Sequence, residues 1–281
     1  MPPELLAEVS TSSSRTSSGP VTTLEAGLQA IGLDLPVDRV EALQRFLELL
    51  QRWNRVYNLT AVRDPQDMLV QHLLDALAVI PVLAHLALGQ PVTPTGGLDE
   101  HAPVGDPIPG AALIATPAPL DTPAPLAIPA PLATPAPLEA LAGLQVADIG
   151  SGAGIPGLIL AIACPSVQLL SIEPVGKKCA FQQQVASELA LAHVAVKQAR
   201  AEQVTAPCDW VMCRALTSLA EFIRISAGLL KPSSRLAALK GRRSEIDAEL
   251  QALPEGWQAE VIPVKVPGLA AERHLVVLHR S

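Results

Sequence analysis

The chain has 281 residues, a formal net charge of −7 and a sequence pI near 5.4, and 49% of its residues are hydrophobic. That length accommodates one sizeable domain and a smaller one, and the acidic balance excludes a globally basic nucleic-acid binder, so a polyanion has to meet a local patch. The cysteines at 164, 179, 208 and 213 have neither the paired short spacings of a zinc site nor a small secreted scaffold around them. They read as reduced packing residues, and no metal is expected.

Residues 1–22 are Ser- and Thr-rich from Ser10 to Ser18, carry Glu4 and Glu8 and lack the apolar stretch of a secretory signal. A disordered tail is expected there. No run of 18 uninterrupted apolar residues argues for a membrane span, which points to a cytoplasmic protein without a membrane partner. From Leu35 to Tyr57, Val40, Leu43, Leu47, Leu50 and Trp53 recur at helical spacing, predicting an amphipathic helix. A second pattern, Leu69, Leu73, Leu77 and Ile80, follows Asp64 and Pro65 as a start signal and meets Pro81, which should kink or end it. The two make a helical unit over 23–88.

Residues 89–140 form a low-complexity insertion. Between Ala115 and Leu138 a hexad ending in Pro-Ala-Pro-Leu is written four times, and its prolines forbid helix and sheet interiors and predict an extended polyproline spacer. The reading as a tolerated insertion leaves any partner of this arm unknown. Over 141–281 strand-like runs at Gln145–Ile149, Gln168–Glu173, Val194–Lys197, Asp209–Cys213, Arg235–Leu239, Glu260–Val264 and His274–His279 alternate with helical stretches between most of them. This is the pattern of an α/β fold with a mostly parallel sheet covered on both faces; the last two strands, with no helix between them, suit an antiparallel pair.

The first of these strands runs into Gly150, Gly152, Gly154 and Gly157, followed by an apolar helix. Glycines there allow sharp turns and close approach of backbone N–H groups to a ligand. The spacing alone also fits a dinucleotide-binding pattern and leaves a NAD-dependent oxidoreductase open. Glu173 at the end of the second strand suits ribose hydroxyls. Asp148 can accept loop N–H bonds or face the positive end of a bound amino acid, and Arg214 follows the fourth strand beside the same pocket. The only tyrosine, Tyr57, lies in the helical unit, so a Tyr-Lys oxidoreductase centre has no candidate.

Several motifs in order carry a resemblance: Trp53-Asn54-Arg55-Val56-Tyr57-Asn58-Leu59-Thr60, Gln71-His72-Leu73-Leu74-Asp75-Ala76-Leu77, the glycine run, Cys213-Arg214-Ala215, Ala238-Leu239-Lys240-Gly241 and Glu272-Arg273-His274-Leu275. Over roughly 24–88 and 144–280 the chain resembles the bacterial 16S ribosomal RNA guanine-N(7) methyltransferases, also known as glucose-inhibited division protein B. The resemblance implies a class I S-adenosylmethionine-dependent methyltransferase fold, with a seven-stranded, mostly parallel sheet, and methylation of guanine 527 within the small ribosomal subunit. It implies cofactor contacts from Gly150, Ile155, Ala201, Glu202 and Arg214, beside Asp148, Gly152 and Glu173; Glu173 stands where the family more often has Asp.

Ring nitrogen 7 of guanine has a free lone pair, so no general base is required and no catalytic residue is assigned. Asn58, Arg200 and Lys240 are the candidates to orient the guanine, and His72, Lys240 and Arg273 those to contact RNA. Basic side chains cluster at Arg52, Arg55 and Arg63 and again at Lys240, Arg242 and Arg243. A non-catalytic RNA-binding module would explain these clusters but leave the glycine run and Glu173 idle. If the Pro-Ala arm is only an insertion, deleting 100–138 should leave methyl transfer intact.

Overall fold

The computed structural model describes residues 23–89, 138–215 and 217–281. The expected disordered tail and almost all of the expected polyproline spacer lie outside the described residues.

Helix α1 (Leu24–Ile31) starts at Thr23, whose hydroxyl accepts the Ala26 N–H at 3.2 Å. Helix α2 (Val37–Tyr57) buries Leu43, Phe46, Leu49, Leu50 and Asn54 and stops at Asn58, whose φ of 48° breaks the helix. Asp64 then caps a new helix by accepting from Gln66 and Asp67 N–H, with Pro65 in its first turn. Its opening α3 (Pro65–Met68) runs through a π-helical stretch, Leu69–Leu74, into α4 (Asp75–Leu77). Pro81 lies in the first turn of α5 (Ile80–Ala87), where its missing N–H leaves no gap, so it separates two helices. The segment Pro65–Ala87 is long and apolar enough to cross a bilayer, yet 94% of its most apolar window is buried inside the protein, as in a core helix.

The sheet follows as β1 (Gln145–Ile149), α6 (Gly157–Ala163), β2 (Gln168–Glu173), α7 (Gly176–Glu188), β3 (Val194–Gln198), β4 (Cys208–Arg214), α8 (Leu219–Ile225), β5 (Leu230–Lys240), α9 (Arg243–Leu250), β6 (Trp257–Pro263) and β7 (His274–Arg280). Its seven strands lie in the order β3-β2-β1-β4-β5-β7-β6. The first five are parallel, and β7 runs antiparallel between β5 and β6. Strand order reverses between β1 and β4, which opens a crevice beyond their carboxyl ends.

One sheet face packs on α8 and α9 through Ala147, Val211, Phe222, Leu236 and Ile246. On the other face α6 and α7 share a single core with the helical unit, in which Phe46, Leu50, Leu73 and Leu77 join Leu158 and Phe181. Each such fully buried side chain contributes about 1.5–3 kcal/mol of apolar transfer, so the helical unit is held as firmly as any sheet helix. Arg235 of β5 adds a bond to the Leu86 carbonyl at 2.6 Å. The N-terminal helices therefore carry polar side chains to the carboxyl edge of the sheet in fixed positions.

Candidate active site

The loop after β1 turns back over the sheet edge through Gly150, Gly152 and Gly154, at φ of 64°, 60° and 77°, a region that glycine adopts without steric cost. Glu173, buried at the end of β2, pins this loop: Oε2 accepts the Gly152 N–H at 2.8 Å and Oε1 the Val175 N–H at 2.9 Å. Each carboxylate oxygen keeps lone-pair capacity for a further donor. From α7, the Gln182 amide donates to the Gly152 carbonyl and the Ser151 hydroxyl, both at 2.8 Å. A Cβ added at Gly152 would meet nothing within 4 Å, so the loop presents open backbone on that side.

Asp148 of β1 is fully buried, and its Oδ2 accepts the Gly157 N–H at 2.9 Å. A Cβ at Gly157 would come 2.7 Å from that oxygen, so the helix can approach the carboxylate only with glycine there. Oδ1 of Asp148 is buried without a hydrogen-bond partner. Burial pushes this carboxyl up to about 7, against the opposing pull of the Gly157 N–H and the Arg214 charge. Across the crevice Arg214, at the end of β4, has a buried Nη1 that likewise makes no hydrogen bond. Burial works against the Arg214 charge, and Asp75 partly restores it.

Asp75, to which the sequence pattern assigns no role, organises this edge. It is 3% exposed; Oδ1 accepts from Arg273 Nε at 2.8 Å, and Oδ2 lies 3.4 Å from Arg214 Nη1, an ion-pair contact without hydrogen-bond alignment. His72, one turn earlier, meets Arg214 Nη2 through Nδ1 at 3.2 Å and the Thr60 hydroxyl through Nε2 at 2.8 Å. A guanidinium can only donate, which fixes the proton on Nε2. Thr60 is held in turn by buried Asn54, which accepts the Thr60 N–H and donates to the Val62 carbonyl, each at 2.9 Å. A polar chain thus runs from α2 through the following loop to His72 and Arg214.

Burial, helped by the adjacent Arg214 charge, lowers His72 from 6.5 to about 4. Its folded value is depressed, so neutral His72 contributes stability that is complete above about 6.5 and is lost as pH falls towards 4. That contribution is on the order of 3 kcal/mol. Asp148, raised in the fold, acts in the opposite sense over an overlapping window. The His72 effect is therefore to be read as a difference: denaturant unfolding at pH 7 and at pH 4.5 should show the gap between wild type and His72→Asn narrowing at the lower pH. An unchanged gap would reject the assignment.

The structure gathers Asp148, Gly150, Gly152, Ile155, Glu173 and Arg214 at the carboxyl ends of β1, β2 and β4. Ala201 is buried and Glu202 exposed on the turn after β3, whose last residue, Gln198, is in register with Glu173. His72 and Arg273 join this edge through Arg214 and Asp75. Asn58 is exposed and accepts from Arg63 at 2.7 Å, while exposed Arg200 offers its backbone N–H to the Gln203 side chain at 3.3 Å. Lys240 departs most from its expected role. Its ammonium donates to both Glu249 oxygens at 2.9 Å and to the Thr217 carbonyl at 2.6 Å, joining β5 to α9.

The four cysteines are free and buried. Burial holds the Cys164 and Cys208 thiols up at about 12 and about 11 and raises those of Cys179 and Cys213, so none is poised as a nucleophile. Among the described residues no cluster of His, Cys, Asp and Glu could hold a metal ion.

A parallel sheet with an antiparallel β7 between β5 and β6, a glycine loop after β1 and an acid ending β2 define a class I S-adenosylmethionine-dependent methyltransferase. The family model for rRNA small subunit methyltransferase G matches residues 39–88 and 136–276. A protein named ribosomal RNA small subunit methyltransferase G from Cupriavidus pinatubonensis is 39% identical over 264 residues, covering 92% of this chain and 93% of its own. One of the same name from Azoarcus is 37% identical over 261 residues, covering 92% and 95%. Among solved structures, TrmN from Thermus thermophilus overlaps 51% of this chain and 47% of its own, at 22% identity and a TM-score of 0.42. The chain belongs to the rRNA small subunit methyltransferase G family, an assignment that rests on the sequence relatives.

Proposed function

We propose that this protein transfers a methyl group from S-adenosylmethionine to ring nitrogen 7 of a guanine in 16S ribosomal RNA, with the assembled small subunit as substrate and the cytoplasm as its location. The observation that carries the donor half is the pair of buried polar atoms that make no hydrogen bond, Asp148 Oδ1 and Arg214 Nη1, the latter with only the ion-pair contact to Asp75. A buried polar group without a partner costs about 1–3 kcal/mol, more for a charged one. The amino-acid end of the donor offers an ammonium for Asp148 and a carboxylate for Arg214. Glu173, with a free lone pair on each oxygen, suits two ribose hydroxyls, and open backbone at Gly152 leaves room for them. The group fits the residues present.

When bound, S-adenosylmethionine supplies an electrophilic methyl on a sulfonium. Guanine nitrogen 7 carries a free lone pair that would form the new bond to the methyl as the methyl–sulfur bond breaks, with S-adenosylhomocysteine leaving, so no side chain has to remove a proton first. The protein supplies alignment, which for two reactants held in line is worth about 7–11 kcal/mol. Asp148, Glu173 and Arg214 fix one reactant, and His72 and Asp75 hold Arg214 in place. The acceptor half is supported by the family's name and by exposed cations on the helical unit.

Calorimetric titration with S-adenosylmethionine, S-adenosylhomocysteine and NAD separates this reading from an oxidoreductase, for which only NAD would bind. Methyl incorporation into unmodified small subunits then tests the acceptor: the guanine should carry the label, and naked transcript should be the poorer substrate. A cationic ligand also favours ionised Asp148, so donor affinity is expected to rise as pH increases through about 7, with proton release on binding. Asp148→Asn should flatten that profile; a flat wild-type profile would place the ammonium elsewhere.

A further inference from the structure

The two basic clusters of the sequence are not equivalent in the fold. In the cluster at the end of β5 each of the three cations has a carboxylate beside it: Lys240 has Glu249, Arg242 has Glu245 at 3.0 Å and Arg243 has Asp247 at 2.8 Å. Around the C-terminal end of α2 the arrangement differs. Arg55 and Arg63 are exposed, line one small crevice beside Asn54 and make no ion pair among the described residues. Lys177 of α7 reaches across to donate to the Tyr57 carbonyl at 2.8 Å, so its positive charge lies at the same helix end without a carboxylate partner.

Among these cations stands Tyr57, 44% exposed and the only exposed aromatic side chain among the described residues. Its ring rests on Trp53 at 5.0 Å, and Trp53 meets buried Phe181 of α7 edge-on at 5.7 Å. The ring is thus ordered before anything binds. A base stacking on it loses little side-chain entropy, and every base has a face to offer. Val56 and Val175, both exposed, extend the apolar surface around it. An exposed aromatic face at a helix end that also carries cations without carboxylate partners matches unpaired RNA, with a base on the ring and phosphates on Arg55, Arg63 and Lys177. An acidic peptide would use the cations but has no need of the ring.

We propose that the end of α2 is the RNA-docking surface of this enzyme, with Tyr57 stacking an unpaired nucleotide and Arg55, Arg63 and Lys177 holding its flanking phosphates, and that the Lys240–Arg242–Arg243 cluster does not bind RNA. The proposal rests on the reading of the protein as a ribosomal RNA methyltransferase and names the surface by which that substrate is held.

The test is steady-state methylation of unmodified small subunits over a range of salt, with calorimetric S-adenosylmethionine binding as the check on folding. Tyr57→Ala should raise KM for subunits about 5- to 150-fold, the range of one base stack, and Tyr57→Phe should restore it. Arg55→Ala with Arg63→Ala should reduce the slope of log KM against log salt by about 0.7 per side chain removed, while donor affinity stays unchanged. Arg242→Ala with Arg243→Ala serves as the control and should leave both KM and slope as in wild type. The proposal is overturned if Tyr57→Ala leaves KM unchanged while still binding the donor, or if the control pair carries as much of the salt slope as the α2 pair. A wild-type protein that methylates no ribosomal RNA would refute the function itself, a separate outcome.

Discussion

Replacing Asp75 with alanine is expected to destabilise the protein by about 3–5 kcal/mol, the cost of removing one partner from a buried ion network. For a chain of this size that corresponds to a fall in Tm of roughly 6–20 °C by calorimetry. The carboxylate is 3% exposed and serves Arg273 and Arg214 together, so its loss leaves two guanidinium groups facing each other. Methyl transfer should fall further than stability does, because Arg214 then has only His72 to hold it. A compensated variant separates the two effects. Asp75→Leu combined with Arg214→Met and Arg273→Met removes every charge of the cluster, and apolar replacement of a buried ion network is often neutral or stabilising. Its Tm should recover while its donor affinity stays low. If Asp75→Ala melts within 2–3 °C of wild type, Asp75 does not have this role, and a compensated variant that binds the donor normally would remove Arg214 from the donor site.

Glu173→Ala is expected to weaken S-adenosylmethionine binding about a hundredfold or more. Two ribose hydroxyls donating to a carboxylate are worth about 1.5–3 kcal/mol each. The same change also frees the Gly152 and Val175 N–H groups that the carboxylate holds at 2.8 Å and 2.9 Å, so the glycine loop loses its anchor. Glu173→Gln should fall between wild type and alanine, because its amide nitrogen would face a backbone N–H where an acceptor is needed. Glu173→Asp, which keeps a carboxylate on a shorter side chain, should retain most of the affinity. Donor affinity within twofold of wild type for Glu173→Ala, measured calorimetrically, would remove this residue from the donor site.

The strands were legible in the sequence because each is a short apolar run bounded by turn residues. The first two match their expected bounds, Gln145–Ile149 and Gln168–Glu173, and the last two pair antiparallel as expected. Helix α8 ends at Ile225, and the chain passes through a short tight turn before β5 begins at Leu230, ahead of the expected start at Arg235. Periodicity does not register that change, because apolar residues continue through both. The π-helical stretch that carries His72 was invisible for a similar reason: a helix buried on every side has no stripe whose slip would reveal an extra residue per turn.

At the site, glycines and strand-end acids announced themselves by position. Asn54 and Asp75 did not, although each left a signal: a polar side chain where the helix otherwise turns apolar residues inwards. Asn54 continues the buried line of Leu43, Phe46 and Leu50 on α2. Asp75 follows Leu73 and Leu74 in a segment buried throughout. A polar residue on such a face needs a partner. The partner of Asn54, Thr60, lies just beyond the helix in the following loop, whereas Arg214 and Arg273 are so distant in sequence from Asp75 that only the fold identifies them. Lys240 shows the converse, since a Lys-Gly pair at a strand end looks available until α9 brings Glu249 against it.

Helix α5 and the turn Leu138–Leu141, far apart in sequence, are anchored in one packed patch. That turn leads into the first residue of β1, at the amino edge of the sheet, whereas Asp148, Glu173 and Arg214 lie at the carboxyl edge. Closing a loop between two fixed ends costs only about 0.6 kcal/mol more for each doubling of its length. These two anchors therefore form a port at which sequence can be added, shortened or exchanged without disturbing the chemistry at the opposite edge. The same port offers a place to fuse a fluorescent or affinity domain into the middle of the chain while leaving methyl transfer intact.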